Sequence, residues 1–234
     1  MFMDKMAPGV LRLSVMDNDI DLFEGQYPVP NGVSYNSYLI EDERLCLLDT
    51  VDARKQEEWL GGLDEALAGR KPDHAGSIAA LCARQPQVKL VANAKTFAFL
   101  DQFSGDHPLT QERVTVTEGG TLALGSHTLH FVLAPMVHWP EVMVAYEDSE
   151  KVLFSADGFG NFGPLTYTDA WADEARRYYC NIVGKYGAQV QGLLKKAAAL
   201  DIQTVCPLHG PQLSGEALTR ALALYSLWAA WKPE

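Results

Sequence analysis

Apolar positions recur along this chain with two different periods, and stretches of the two interleave. Residues 34–40 and 45–49 predict two strands around the charged turn 41–44. Asp49 ends the second strand, and Thr50 with Asp52 offers a cap for a helix. Glu57, Trp59, Leu60, Leu63, Ala66 and Leu67 then fall at helical spacing up to Gly69. Shorter helices are predicted over 77–84 and 94–103, with a buried strand over 88–92 between them. Residues 114–116, 121–124 and 128–134 predict antiparallel strands that turn at 118–120 and 125–126. Residues 142–146 and 151–154 predict a hairpin. Helices over 171–182 and 188–200, a strand over 204–207 and a last helix over 216–231 complete the chain. Strands precede helices twice, with no strict βαβ alternation and no short repeat. An α/β fold of two mixed sheets packed face to face, helices outside, fits better than a doubly wound sheet. Gly158 and Gly160 lack the third glycine of a dinucleotide fingerprint.

Composition narrows the function classes. At 234 residues and 47% hydrophobic content the chain can bury a full core, as one large domain or two small ones. A net charge of −11 disfavours nucleic-acid and anionic-membrane partners, because phosphates would be repelled. No apolar run reaches the roughly 18 residues of a membrane span, and residues 1–10 lack the apolar segment of a secretory signal. The four cysteines form no Cys-x-x-Cys pair. The expectation is a soluble, acidic, cytoplasmic protein.

The candidate chemistry sits at turns. Asp73 and His74 stand between Pro72 and Gly76, His138 between Pro135 and Pro140, Asp157 before Gly158, and His209 between Pro207 and Pro211. Each follows or interrupts an apolar run, where a rigid loop presents a side chain at a strand end. Imidazole with carboxylate suits zinc, iron or manganese. A carboxylate such as Asp157 can bridge two ions, one on each oxygen. Taken singly, each residue has a plainer reading: a hydrogen-bonded histidine, an Asp-Gly turn, or an acidic helix N-terminus at Asp73. The repeated His/Asp context with Gly and Pro argues for a shared metal site. His107 and His127 fall in polar turns and His130 on the outer side of its strand, all three expected in solvent.

Asp49-Thr50, Asp73-His74-Ala-Gly-Ser77, Ala134-Pro-Met-Val-His-Trp-Pro140, Ser155-Ala-Asp-Gly-Phe-Gly160 and Pro207-Leu-His-Gly-Pro211 together resemble one family. It is the metallo-β-lactamase-fold diiron domain of flavodiiron proteins, and the resemblance runs from about Met16 to Glu234. It implies an αββα sandwich, a non-haem diiron centre, and reduction of dioxygen to water, of nitric oxide to nitrous oxide, or of both. It implies electrons from FMN on a flavodoxin-like domain or from a rubredoxin-type donor, and a head-to-tail homodimer. It carries metal-ligand roles to Asp73, His74, His138, Asp157 and His209. Trp139 and Phe159 would wall the pocket or pack plainly in the core, and Tyr178 or Tyr179 would lend it a hydroxyl or lie on the surface.

The chain departs from the family pattern in two places. The first motif reads His-x-Glu-x-Asp-His, but Gly69 and Lys71 occupy its His and Glu positions, and no apolar strand precedes them. A central strand and two ligands of one iron site are expected to be missing, leaving that site His138 and Asp157. The second departure is the end of the chain, where residues 1–226 are expected to form the diiron domain and 227–234 a linker stub, with no FMN phosphate loop. A zinc hydrolase of the same fold, or a non-catalytic remnant, are the alternatives.

Overall fold

A computed structural model describes residues 1–67, 77–104 and 108–233. The chain opens with a hairpin of β1 (Phe2–Ala7) and β2 (Val10–Asp17), turning at Pro8 and Gly9, which has φ +69°. A small hairpin of β3 (Leu22–Phe23) and β4 (Tyr27–Pro28) leads to β5 (Val33–Ile40) and β6 (Cys46–Leu48). These build a four-stranded sheet in the order β1-β2-β5-β6, antiparallel at every pairing. All eight residues of β5 are buried, since one face meets α1 (Gln56–Leu67) and the other meets the second sheet. Asp52 caps a 3-10 turn before α1 by accepting from the Arg54 backbone N–H, as its spacing predicts.

After α2 (Ile78–Arg84), β7 (Lys89–Ala92), α3 (Ala94–Ser104) and β8 (Glu112–Thr115) form a separate parallel pair. Residues 114–116 therefore do not join an antiparallel meander with 121–124, as their short turn suggested. The α3 crossover returns the chain in the same direction, and a parallel pairing needs such a crossover. The second main sheet holds β9 (Thr121–Ala123), β10 (Thr128–Leu133), β11 (Met143–Glu147), β12 (Val152–Phe154), β13 (Thr204–Cys206) and β14 (Leu213–Ser214). Its order is β14-β13-β12-β11-β10-β9, with only β12 and β13 parallel. Helices α4 (Trp171–Ile182) and α5 (Gly187–Ala197) cross between those two strands, and α6 (Gly215–Ala229) follows β14.

Val10, Tyr38 and Ile40 from one sheet pack against Leu129, Phe131, Ala145 and Phe154 from the other. Outside them, Trp59, Leu60 and Leu63 of α1 cover the first sheet, and Tyr178, Tyr179, Ala221 and Tyr225 of α4 and α6 cover the second. The result is an αββα sandwich. Trp228 and Ala229 are buried in that core, so the boundary expected before residue 227 falls inside the last turn of α6. Tyr178 and Tyr179 are also buried, not on the surface.

Between β6 and β7, among the described residues, there is no strand. Among the described residues each pairs on one side only, and a cavity of about 410 Å³ lies between them, lined by Leu47, Leu48, Leu90, Val91, Phe131 and Phe154 among others. A central strand is expected from the sequence to be missing before Asp73. The Gly69 and Lys71 positions on which that expectation rested lie outside the described residues.

The end of the sandwich at Ile40 is closed by an ion pair that local pattern concealed. His127 is buried, contrary to its expected solvated turn, with Nδ1 2.8 Å from Asp42 Oδ2 and Nε2 3.3 Å from the Pro8 carbonyl. The turn before β10 meets the turn after β5, and neither turn carries a sign of the other. Burial alone would lower the imidazole, but the hydrogen bonds to Asp42 and Pro8 outweigh it and the pKa rises from 6.5. Burial would likewise raise Asp42, yet the His127 backbone and ring and the Glu43 N–H hold that carboxyl well below the usual 3.8. A raised histidine stabilises fully below its ordinary pKa and loses that as pH rises through the folded value. A depressed carboxylate stabilises above its ordinary pKa and loses that as pH falls. The pair should thus contribute most between about pH 4 and about pH 6.5. The urea midpoint is expected to fall from about pH 6 to about pH 8.5, and His127→Gln to flatten that fall. An identical slope in the variant would show the pair to be inert.

Candidate metal centre

Three turns at the other end of the sandwich carry the predicted donors. His138 lies on the loop from β10 to β11, which folds back on itself through Ala134 N–H to Val142 O (2.9 Å) and Met136 N–H to Trp139 O (2.8 Å). Asp157 follows β12 in a turn closed by Gly158 N–H to Ser155 O (2.9 Å) and by the Ser155 hydroxyl to Gly158 O (2.6 Å). His209 follows β13. Because β12 and β13 are adjacent and parallel, both turns leave the sheet side by side, tied by Leu208 N–H to Ala156 O at 3.0 Å.

The first sheet pins the third turn. Asn36, in the middle of β5 and fully buried, donates to the carbonyls of Pro207 and Gly210, both at 2.9 Å. Tyr38 donates to Pro207 O at 2.6 Å, and the Ser34 hydroxyl accepts from Gly210 N–H at 2.7 Å. Gly210 has φ +86°, and a Cβ there would stand 1.8 Å from Asn161 Oδ1, so only glycine fits. His209 Nδ1 lies 2.7 Å from the Ser34 carbonyl, which requires the proton on Nδ1 and leaves Nε2 as the free lone pair. Burial, first of all, lowers the His209 pKa and favours the neutral ring that a metal binds.

The three donors converge. His138 Nε2 is 3.7 Å from Asp157 Oδ2, and His209 Nε2 is 3.6 Å from Asp157 Oδ1. The two imidazoles thus face different oxygens of one carboxylate. The Tyr178 hydroxyl donates to Asp157 Oδ1 at 3.0 Å, and its own pKa is raised well above 10, by burial and then by the Asp157 charge. Asp49 is close enough for Asp157 to matter: burial, and next the like charge of Asp157, push it up to about 6. Its side chain is exposed to the cavity it lines, so water relieves part of that burial.

Other assigned residues fall differently. Trp139 is 45% exposed, edge-on to His138 at 6.2 Å, and lines the cavity beside β6 together with Asp157. Phe159 does not line it; its ring stacks on Tyr225 at 4.3 Å in the core, because its backbone, at φ +66°, turns the side chain inward. Asp73 and His74 lie outside the described residues. Sequence reading missed Glu24, whose Oε1 is 3.7 Å from His138 Nε2, and Asn36. For Asn36 a signal existed: Ser34, Asn36 and Ser37 are polar residues inside an otherwise apolar strand. His130 pairs with Asp148 at 2.8 Å near the surface.

Among the described residues no three such side chains close tightly enough to hold an ion unaided. The donor set nonetheless fits one: a neutral imidazole with a fixed tautomer, a second imidazole, and a carboxylate between them with an oxygen toward each. An αββα sandwich with imidazole and carboxylate donors on loops at one end of its sheets is a metallo-β-lactamase-type metal domain. Residues 67–210 match the model of the ODP family beta lactamase, and the chain belongs to this family, the diiron domain of flavodiiron proteins. It is 31% identical over 253 residues to the rubredoxin-oxygen oxidoreductase of Megalodesulfovibrio gigas, covering 98% of this chain and 61% of that protein. It is 29% identical over 235 residues to the anaerobic nitric oxide reductase flavorubredoxin of Vibrio vulnificus, covering 91% and 47%. The solved rubredoxin oxygen:oxidoreductase from Desulfovibrio gigas matches at a TM-score of 0.92 and 28% identity, over 100% of this chain and 63% of that one. The chain spans about half the length of the curated relatives it matches. Membership implies iron and FMN as the family's cofactors. Among the described residues, no helix is long and apolar enough to cross a membrane.

Proposed function

We propose that this chain is the diiron module of an oxidoreductase that reduces dioxygen to water, nitric oxide to nitrous oxide, or both. Electrons would come from FMN on a flavodoxin-like domain or from a rubredoxin-type donor, in a head-to-tail homodimer. The observation that carries the reading is the pair of imidazoles facing opposite oxygens of Asp157. Asp73, His74, Asp157 and His209 would hold one iron, and His138 with Asp157 the other. Bound there, iron supplies one-electron chemistry and open coordination positions for a diatomic gas.

The chain's own residues supply position and protons. The Ser34 carbonyl keeps the His209 proton on Nδ1, and Tyr178 keeps its hydroxyl proton on the hydrogen bond to Asp157. Both reductions consume protons, and the Asp49 carboxyl, raised by burial and by the Asp157 charge, would hold one beside Asp157. Trp139 would flank His138 on one side, edge-on at 6.2 Å. The resemblance puts Gly69 and Lys71 at the positions of two family ligands, so we expect impairment, with no more than about one tightly held ion per chain. Anaerobic reconstitution with ferrous iron, followed by metal analysis, tests both parts. Two tightly held irons would overturn the impairment. Zinc retention with no iron uptake would overturn the oxidoreductase.

A further inference from the structure

We propose that Glu24 is a metal ligand, completing a weaker second ion site with His138 and Asp157. This rests on the diiron reading above and adds a donor from outside the loops that carry the others. Glu24 sits at the tip of the β3–β4 hairpin with φ +51°, next to Gly25 at φ +70°. A left-handed backbone is uncommon for a residue other than glycine, and here it directs a carboxylate at the His138 ring. Glu24 Oε1 and Asp157 Oδ2 stand at the same 3.7 Å from the same nitrogen, His138 Nε2. Neither separation is a hydrogen bond, and a single N–H would serve only one of them. Donors about 2.0–2.2 Å from a shared cation lie about 3–3.5 Å from each other, and both carboxylates stand only slightly farther than that from His138 Nε2. Arg54, on the same cavity wall, is taken by Asp17 at 3.2 Å and Asp52 at 3.1 Å. Among the described residues Glu24 makes no ion pair other than that with His138.

The test is anaerobic titration of the metal-free protein with cobalt(II), read by its visible absorption, and with ferrous iron, read by equilibrium dialysis. The native chain should show a tight step and a weaker one. Glu24→Gln and Glu24→Gly should each weaken the second step about 10- to 100-fold and leave the tight step unchanged. Glycine takes a positive φ freely, so Glu24→Gly should fold with no loss of thermal stability in the metal-free state. His138→Ala should abolish the second step. A second step unaltered in both Glu24 variants, with the tight step present, overturns the role of Glu24 alone. Absence of any metal uptake by the native chain overturns the diiron reading and this proposal with it.

Discussion

Asp157→Asn is expected to strip the chain of tightly held metal. Asparagine keeps the shape of the side chain and a carbonyl oxygen for the Tyr178 hydroxyl at 3.0 Å. It removes the charge, and it leaves an amide NH2 facing one imidazole where an acceptor oxygen stood. Both imidazoles depend on this one group, at 3.6 and 3.7 Å, so both ion positions lose a donor together. Loss of a hydrogen-bonding partner behind a ligand already costs about 10- to 100-fold in metal affinity, and loss of a shared ligand should cost at least about 100-fold. Iron content after anaerobic reconstitution and desalting is the measurement; native-like stoichiometry in the variant would refute the bridging role. Asp49 provides a second readout. Its carboxyl is raised from 3.8 to about 6, in part by the Asp157 charge, so it favours the folded state most below its ordinary value. That contribution fades as pH rises from about 4 to about 6. In metal-free Asp157→Asn the same fade should shrink and shift to lower pH, as measured by urea unfolding across that range.

The second large effect is expected at Asn36→Ala. Its side chain bonds to three partners from a fully buried position: it donates to Pro207 O and Gly210 O and accepts from the Ser14 hydroxyl at 2.7 Å. Alanine leaves Pro207 O its bond from Tyr38 but orphans Gly210 O and Ser14 Oγ. Each buried polar group left unpaired costs about 1–3 kcal/mol, so the two together should cost about 2–6 kcal/mol. Urea denaturation gives the number, and a change below about 0.5 kcal/mol would contradict the network. Because the same bonds fix the turn that carries His209, the tight metal step should weaken as well.

The residues that revealed the site were those with a local reason to be rigid. His138 between two prolines, Asp157 before glycine, and His209 with Gly210 announced themselves by their neighbours, and the fold brought them together. The helices and the strands of the second sheet were legible because their periods are clean over most of their length. What escaped reading depended on contacts far along the chain. The partner of His127 lies 85 residues away, and residues 114–116 looked like part of a meander because parallel and antiparallel strands share a period. Glu24 sits in no motif and carries only the faint signal of preceding a glycine. Strands β1 and β2 went unread although β2 is mostly buried. Phe159, between two glycines, read equally as pocket wall or as core, and its ring stacks in the core.

His138, Asp157 and His209 hang from neighbouring strands of a single unbroken sheet, β10 and β11, then β12, then β13. Their mutual spacing is therefore set first by the fixed separation of adjacent strands, about 4.8 Å, and β5 adds a second hold on the turn that carries His209. The donors thus inherit their alignment from the hydrogen-bond ladder that builds the sheet itself.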